Sequence, residues 1–141
     1  LAALVVGALE GAGKKDLLQP YFDPGGDTWS SRPLTDKMAE VARGNYREKN
    51  KADIHPSADA ILCLEAALWA FSRTDSYEQG CLLVVNMGDD SDTTAAVYGQ
   101  IAGAYYGYDA IPPAWREEIA EPALLRSTAL SLLDLSTSAF S

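Results

Sequence analysis

The run Ala58-Asp59-Ala60-Ile61-Leu62-Cys63-Leu64-Glu65-Ala66-Ala67-Leu68-Trp69-Ala70-Phe71 is interrupted by only two charged residues, Asp59 and Glu65. It shows no alternation with a period of two and is longer than a typical strand, so it reads as a helix. A helix that is apolar nearly all round needs neighbours on every side, which places it at the centre of a helical bundle. Trp69 then belongs to the core. Glu65, alone on this surface, must be paired or protonated because a bare buried carboxylate is too unfavourable. Arg73 or Arg126 is the expected partner.

Working outward, helical punctuation continues in both directions. Downstream, Ser76-Tyr77-Glu78-Gln79 has the spacing of a capping box, with Ser76 as cap and Gln79 reaching back. It opens a helix to about Met87, which Gly88 stops. Another helix is expected from near Asp92 or Thr93 to about Tyr106. Gly99, Gly103 and Gly107 recur along it with Ala95 and Ala102 beside them, a stripe expected to admit a second helix closely. Interior glycine disfavours a helix by about 1 kcal/mol relative to alanine, so some packing should compensate.

Upstream, residues 1–9 form a short apolar helix ended at Gly11-Ala12-Gly13, where glycine can adopt a left-handed stop. Residues 21–33 are rich in turn formers and read as loop. Thr35 or Asp36 caps a surface helix through about Lys49, with Met38, Val41 and Ala42 on one side. Pro112-Pro113 opens a short helix through Glu121, and Pro122 a last one carrying Leu124, Leu125, Thr128, Leu132 and Leu135 on one face. Only Leu82 to Val85 looks strand-like, and its capping box favours helix. The expected fold is all-α, residues 1–141 forming one domain.

The chain has 141 residues, 48% hydrophobic and 22% charged, with a formal net charge of −9. Twenty acidic against eleven basic residues argue against nucleic acid or an anionic membrane as partner, since both require a basic footprint. The balance suits a cation. Cys63 and Cys81 both lie in apolar runs and are expected to be free thiols in a reducing, cytoplasmic compartment. The N-terminal apolar stretch lacks a basic leader and falls short of the ~20 residues of a membrane span. It is expected to be a core helix lying within a longer protein.

Chemistry concentrates in Gly88-Asp89-Asp90-Ser91-Asp92-Thr93-Thr94. Asp90 and Asp92, two apart in a segment entering a helix, can point the same way with the Thr93 hydroxyl as a third oxygen. Three oxygens from one turn suit a hard divalent ion such as Mg²⁺ or Mn²⁺. Helix capping is the alternative, because Asp, Ser and Thr accept from free backbone N–H groups at a helix start. The residues alone leave both open. The spacing is not that of an EF-hand, which needs glycine at its sixth and glutamate at its twelfth position. His55, the sole histidine, reads as a solvated loop residue, and Tyr105, Tyr106 and Tyr108 as packing.

The block from Asn86 to Gly107 closely resembles the late signature of the ADP-ribosylglycohydrolase family, N-x-G-G-D-T-D-T followed by A-x-x-x-G-x-x-A-G-A-x-Y-G. Leu64-Glu65-Ala66-Ala67-Leu68-Trp69-Ala70-Phe71 resembles that family's central helix at the expected distance upstream. The resemblance implies an orthogonal multi-helix bundle, a binuclear Mg²⁺ or Mn²⁺ centre, and hydrolysis of the glycosidic bond joining ADP-ribose to a protein side chain or a small molecule. It implies Asp90, Asp92 and Thr93 as metal ligands, with Gly88 and Asp89 on the substrate side. Asp89 stands where the family usually has glycine and is not assigned as a ligand. The family's early Gly-Asp and Thr-Asp-Asp motifs and its catalytic glutamate find no match here, and Asp27-Thr28 only echoes them among turn residues. Ser57-Ala58-Asp59 replaces a Ser-Gly-Tyr segment. The catalytic residue is therefore unassigned, and the chain resembles the C-terminal portion of such an enzyme, or a relative that binds metal or ADP-ribose without turnover.

Overall fold

In the computed structural model, which describes residues 1–139, the apolar run forms helix α5, Ala60–Arg73. Its start is fixed by Asp59, whose carboxylate accepts from the backbone N–H of Ile61 (2.9 Å) and Leu62 (3.1 Å). Every residue from Cys63 to Phe71 is buried, as its apolar circumference requires. Glu65 does have a partner, but neither arginine: both its carboxylate oxygens accept from Lys49 Nζ, at 2.7 and 2.8 Å. Arg73 lies over the Trp69 ring at 4.9 Å and donates to the Arg47 and Lys49 carbonyls.

Lys49 reaches Glu65 because the helix expected to run through it stops early. Helix α4 covers Asp36–Arg43 and ends at Gly44, whose φ of 93° is left-handed. Two 3₁₀ turns, Asn45–Glu48 and Lys51–Asp53, then fold the chain back against α5, where the Trp69 indole N–H donates to the Lys49 carbonyl at 2.9 Å. Amphipathic spacing across Asn45–Glu48 is equally compatible with helix, and the glycine decides.

Helix α6 is Tyr77–Val85 and α7 is Ser91–Tyr106. Ser76 caps α6 as expected, accepting from Gln79 N at 3.2 Å. The Gln79 amide turns to Asp75 N instead of back to Ser76, so only half the box forms. The tightest contact in this part of the core is between Gly80 and Tyr98. Tyr98 is fully buried, its hydroxyl lies 3.2 Å from Ser76 O and 3.1 Å from Tyr77 O, and a Cβ at Gly80 would collide with its ring. The close approach therefore falls on α6 rather than on the α7 stripe. Among the described residues nothing lies within 4 Å of where a Cβ on Gly103 would stand, and only the Tyr77 hydroxyl approaches Gly99, at 3.4 Å.

Phe71, near the end of α5, packs edge-on against Tyr105 (5.4 Å) and Tyr106 (6.0 Å) at the end of α7. The C-terminal ends of the two helices thus meet, and α7 packs on α5. Helix α1, Ala2–Leu9, packs against α7, and α2, Lys14–Leu17, sends Lys14 to that aromatic cluster. The Lys14 ammonium donates to the Thr74 carbonyl and to Tyr106 Oη, 4.7 Å above the Phe71 ring. A single turn, α3 (Thr28–Ser31), interrupts the expected loop.

These elements make up a first compact unit, Leu1–Ala110; a second begins at Ile111. The second contains α8, Pro113–Glu117, shorter than expected, and α9, Pro122–Ala139. Leu124, Leu125 and Leu132 of α9 are exposed. Among the described residues no helix is long and apolar enough to cross a membrane, and no strand occurs.

Gly80→Ala should destabilise the protein by about 1–3 kcal/mol, because Tyr98 is enclosed and cannot swing away; an unchanged urea midpoint would show that the contact relaxes freely. Burial also pushes the Tyr98 phenol well above its ordinary range. The unfolded chain loses that proton near pH ~10 while the folded chain retains it, so stability should fall as pH rises beyond ~10. Tyr98→Phe should flatten that alkaline decline, measured by urea unfolding between pH 8 and 11, roughly the window the phenol defines.

Candidate metal centre

Gly88, Asp89 and Asp90 form the turn that feeds α7. Gly88 has φ 83° and Asp89 φ 50°, two successive left-handed residues that reverse the chain at the end of α6. Aspartate tolerates this region better than most residues, and glycine better still. Asp89 is exposed and held in this conformation, which glycine would adopt with less strain.

Asp90 occupies the N-cap position of α7, yet its carboxylate makes no capping bond to the helix backbone. Oδ1 accepts from the Thr93 hydroxyl at 2.8 Å. Oδ2 is buried with no hydrogen-bond partner. The cap function passes to the Asp90 carbonyl, which accepts from Thr94 N (3.2 Å) and Thr94 Oγ1 (3.0 Å), with Thr94 wholly buried beneath the turn. Thr94 was missed in the sequence, although a second hydroxyl beside Thr93 at a helix start was its signal.

The Asp92 carboxyl is held below the usual carboxylate range, first by the Thr93 backbone N–H, then by the Asp90 carboxyl within bonding reach, then by its own N–H. Asp90 and Asp92 therefore converge, and the Thr93 hydroxyl lies with them. The buried Asp90 Oδ2 is met by no donor among its described neighbours. An oxygen too enclosed for a water contact can still be met by a small divalent ion, whose bond is only ~2.0–2.1 Å for Mg²⁺. Among the described residues no three His, Cys, Asp or Glu side chains come together. The chain presents two carboxylates and a hydroxyl, and these residues fit part of a ligand set.

The other candidates separate from this cluster. Asp23 accepts from Gly25 N (3.0 Å), Thr28 N (2.6 Å) and Thr28 Oγ1 (2.7 Å), so the turn containing Asp27 and Thr28 is bonded to itself. His55 is exposed. Tyr105 and Tyr106 pack on Phe71, as the sequence suggested.

This arrangement of a central apolar helix, an α7 packed on it and an acidic turn at the start of α7 has relatives. The model of the family described as ADP-ribosylglycohydrolase matches residues 1–140. The chain belongs to the ADP-ribosylglycohydrolase family. It is 40% identical over 100 residues to the ADP-ribosylarginine hydrolase Tri1 of Serratia proteamaculans (strain 568), covering 71% of this chain and 27% of that protein. It is 35% identical over 134 residues to the ADP-ribosylarginine hydrolase Tri1 of Pseudomonas putida (strain GB-1), covering 95% of this chain and 34% of that protein. A solved structure titled ADP-ribosylglycohydrolase-related protein complex superposes with a TM-score of 0.80 at 37% identity, covering 94% of this chain and 44% of that one. The chain thus spans about a third of the length of these two curated relatives and under half of the solved chain.

In this family member Asp89→Gly should raise stability by about 0.5–1 kcal/mol, since glycine relieves the left-handed strain. Thermal unfolding checks this, and a drop in midpoint would mean that the Asp89 side chain holds the turn.

Proposed function

We propose that this chain supplies the late metal ligands of a divalent-metal-dependent ADP-ribosyl glycohydrolase, with Asp90, Asp92 and Thr93 holding Mg²⁺ or Mn²⁺. The observation that carries the reading is the buried, unbonded Asp90 Oδ2 beside the Asp92 carboxylate, a pairing that capping does not explain. Burying an unmatched anionic oxygen costs several kcal/mol, which a cation offsets. When bound, such an ion would supply Lewis acidity toward the ribose hydroxyls and water. The chain's own contribution is positional: the Asp90 carbonyl locks onto Thr94, Thr93 fixes one carboxylate oxygen, and the other is left facing the ligand.

The substrate class is ADP-ribose joined through a glycosidic bond to a protein side chain or small molecule, with arginine the favoured linkage because both Tri1 relatives bear that name. Gly88 and Asp89 line the substrate side of the turn. Residues 1–141 are read as part of one catalytic domain, supported by a family match that spans both compact units. Unpaired Cys63 and Cys81 support a reducing, cytoplasmic setting. A second reading, binding of metal or ADP-ribose without turnover, is favoured by the small number of acids at the site.

Asp90→Asn combined with Asp92→Asn should lower kcat/KM for ADP-ribosylated substrate by at least about a hundredfold in the full-length protein. Calorimetric heat on titration with Mn²⁺ should vanish in parallel. Full activity in the double variant would refute the assignment, whereas Mn²⁺ heat without any turnover in the unaltered protein would select the second reading.

A further inference from the structure

Helices α5, α6 and α7 each begin on a residue whose side chain can cap them, and the third departs from the other two. Asp59 caps α5 from φ −67°, ψ 121°, and Ser76 caps α6 from φ −142°, ψ 158°. Both are extended, the conformation from which a cap side chain reaches the N–H groups of the second and third helical residues. Asp90 stands at φ −82°, ψ 54°, and its carboxylate makes no bond of that kind. The departure lies in ψ, the angle that sets where a residue's own carbonyl points relative to its side chain.

The Thr94 side chain acts on that carbonyl. Its hydroxyl donates to Asp90 O at 3.0 Å, alongside the helical bond from Thr94 N at 3.2 Å, so one residue places two donors on one acceptor. Thr94 is wholly buried, which withdraws its hydroxyl from water. Nor can it back away: Tyr98, one turn along on the same buried face of α7, is enclosed against Gly80, with its own hydroxyl 3.2 Å from the Ser76 carbonyl. The N–H groups of Thr93 and Asp92, which a capping Asp90 would take, are engaged by the Asp92 carboxyl instead.

We infer that Thr94 is a positioning residue of the metal centre, its buried hydroxyl keeping Asp90 out of the capping conformation and so leaving the Asp90 carboxylate to a divalent cation. The inference rests on the reading of Asp90 as a metal ligand. Capping and ligation draw on the same carboxylate oxygens, so the conformation that serves one withholds them from the other. Without the hydroxyl, ψ relaxes toward the extended values of Asp59 and Ser76, and the carboxylate turns to the helix N–H groups. A cation must then displace it from them before it can bind. Thr94 touches neither ion nor substrate and acts through the backbone of Asp90.

The test titrates Mn²⁺ into the metal-free full-length protein by calorimetry, comparing the unaltered chain with Thr94→Val, Thr94→Ala and Thr94→Ser. Valine keeps the shape without the hydroxyl, alanine avoids setting a methyl against the Asp90 carbonyl, and serine keeps the hydroxyl. The Mn²⁺ dissociation constant should rise about tenfold with valine and alanine and stay within about threefold with serine, as expected for a group that orients a metal ligand. Alanine carries the comparison if the valine variant does not fold. Thermal unfolding without metal is the control, because a merely structural role lowers the midpoint and leaves the dissociation constant where it was. A constant unmoved in the variants lacking the hydroxyl, or raised as much by serine, overturns the inference and leaves the metal reading standing. Absence of Mn²⁺ heat in the unaltered protein refutes the metal reading and this inference with it.

Discussion

The packing of α7 on α5 is the constraint on which the rest of the structure depends. It is set at one end by aromatic packing, Phe71 against Tyr105 and Tyr106, with Lys14 joining the backbone end of α5 to the Tyr106 hydroxyl. It is set along the middle by Tyr98, seated over Gly80 and within bonding distance of the carbonyls that begin α6. With both contacts in place the start of α7 has one position, and the acidic turn is carried there on a rigid element. A site built on helix termini is held more firmly than one on a loop.

That turn is an arrangement of conflicting demands. A helix start favours an acceptor side chain at its cap, and Asp90 stands at that position without capping. Its carbonyl satisfies Thr94 instead, and its carboxylate is turned toward Thr93 and Asp92. Two left-handed residues precede it. Local rules broken together at one place mark function more often than chance, because strain persists only where the surroundings enforce it.

The buried Glu65 shows the same economy in a structural role. Its clasp by Lys49 holds the 3₁₀ turns after α4 against α5, helped by Trp69 and Arg73 bonding to the Lys49 carbonyl. Removing one partner of such a pair would leave a charge in the core, so the segment between Gly44 and Asp59 is anchored by electrostatics as much as by apolar contact.

Much of this was legible in the residues themselves. The apolar circumference of Ala60 to Phe71 determined a buried central helix, Asp59 and Ser76 marked helix starts, and Gly88 marked a stop, because each rests on interactions within a turn or two of chain. Asp90, Asp92 and Thr93 were adjacent in sequence, so their convergence was also local. The sequence by itself could not decide which cation meets Glu65, since Lys49 arrives through a left-handed Gly44 that ends a helix whose periodicity continues. Nor could it decide which glycine is pressed: the stripe at Gly99 and Gly103 invited a close neighbour, and Gly80 received one, because the large side chain that fills the space, Tyr98, sits on the opposite helix. The loss of half the Ser76 capping box and the unmet oxygen of Asp90 were likewise settled by tertiary packing. Short-range hydrogen bonding and hydrophobic periodicity are written along the chain, whereas the partner of a buried charge or a void depends on residues brought together from far apart.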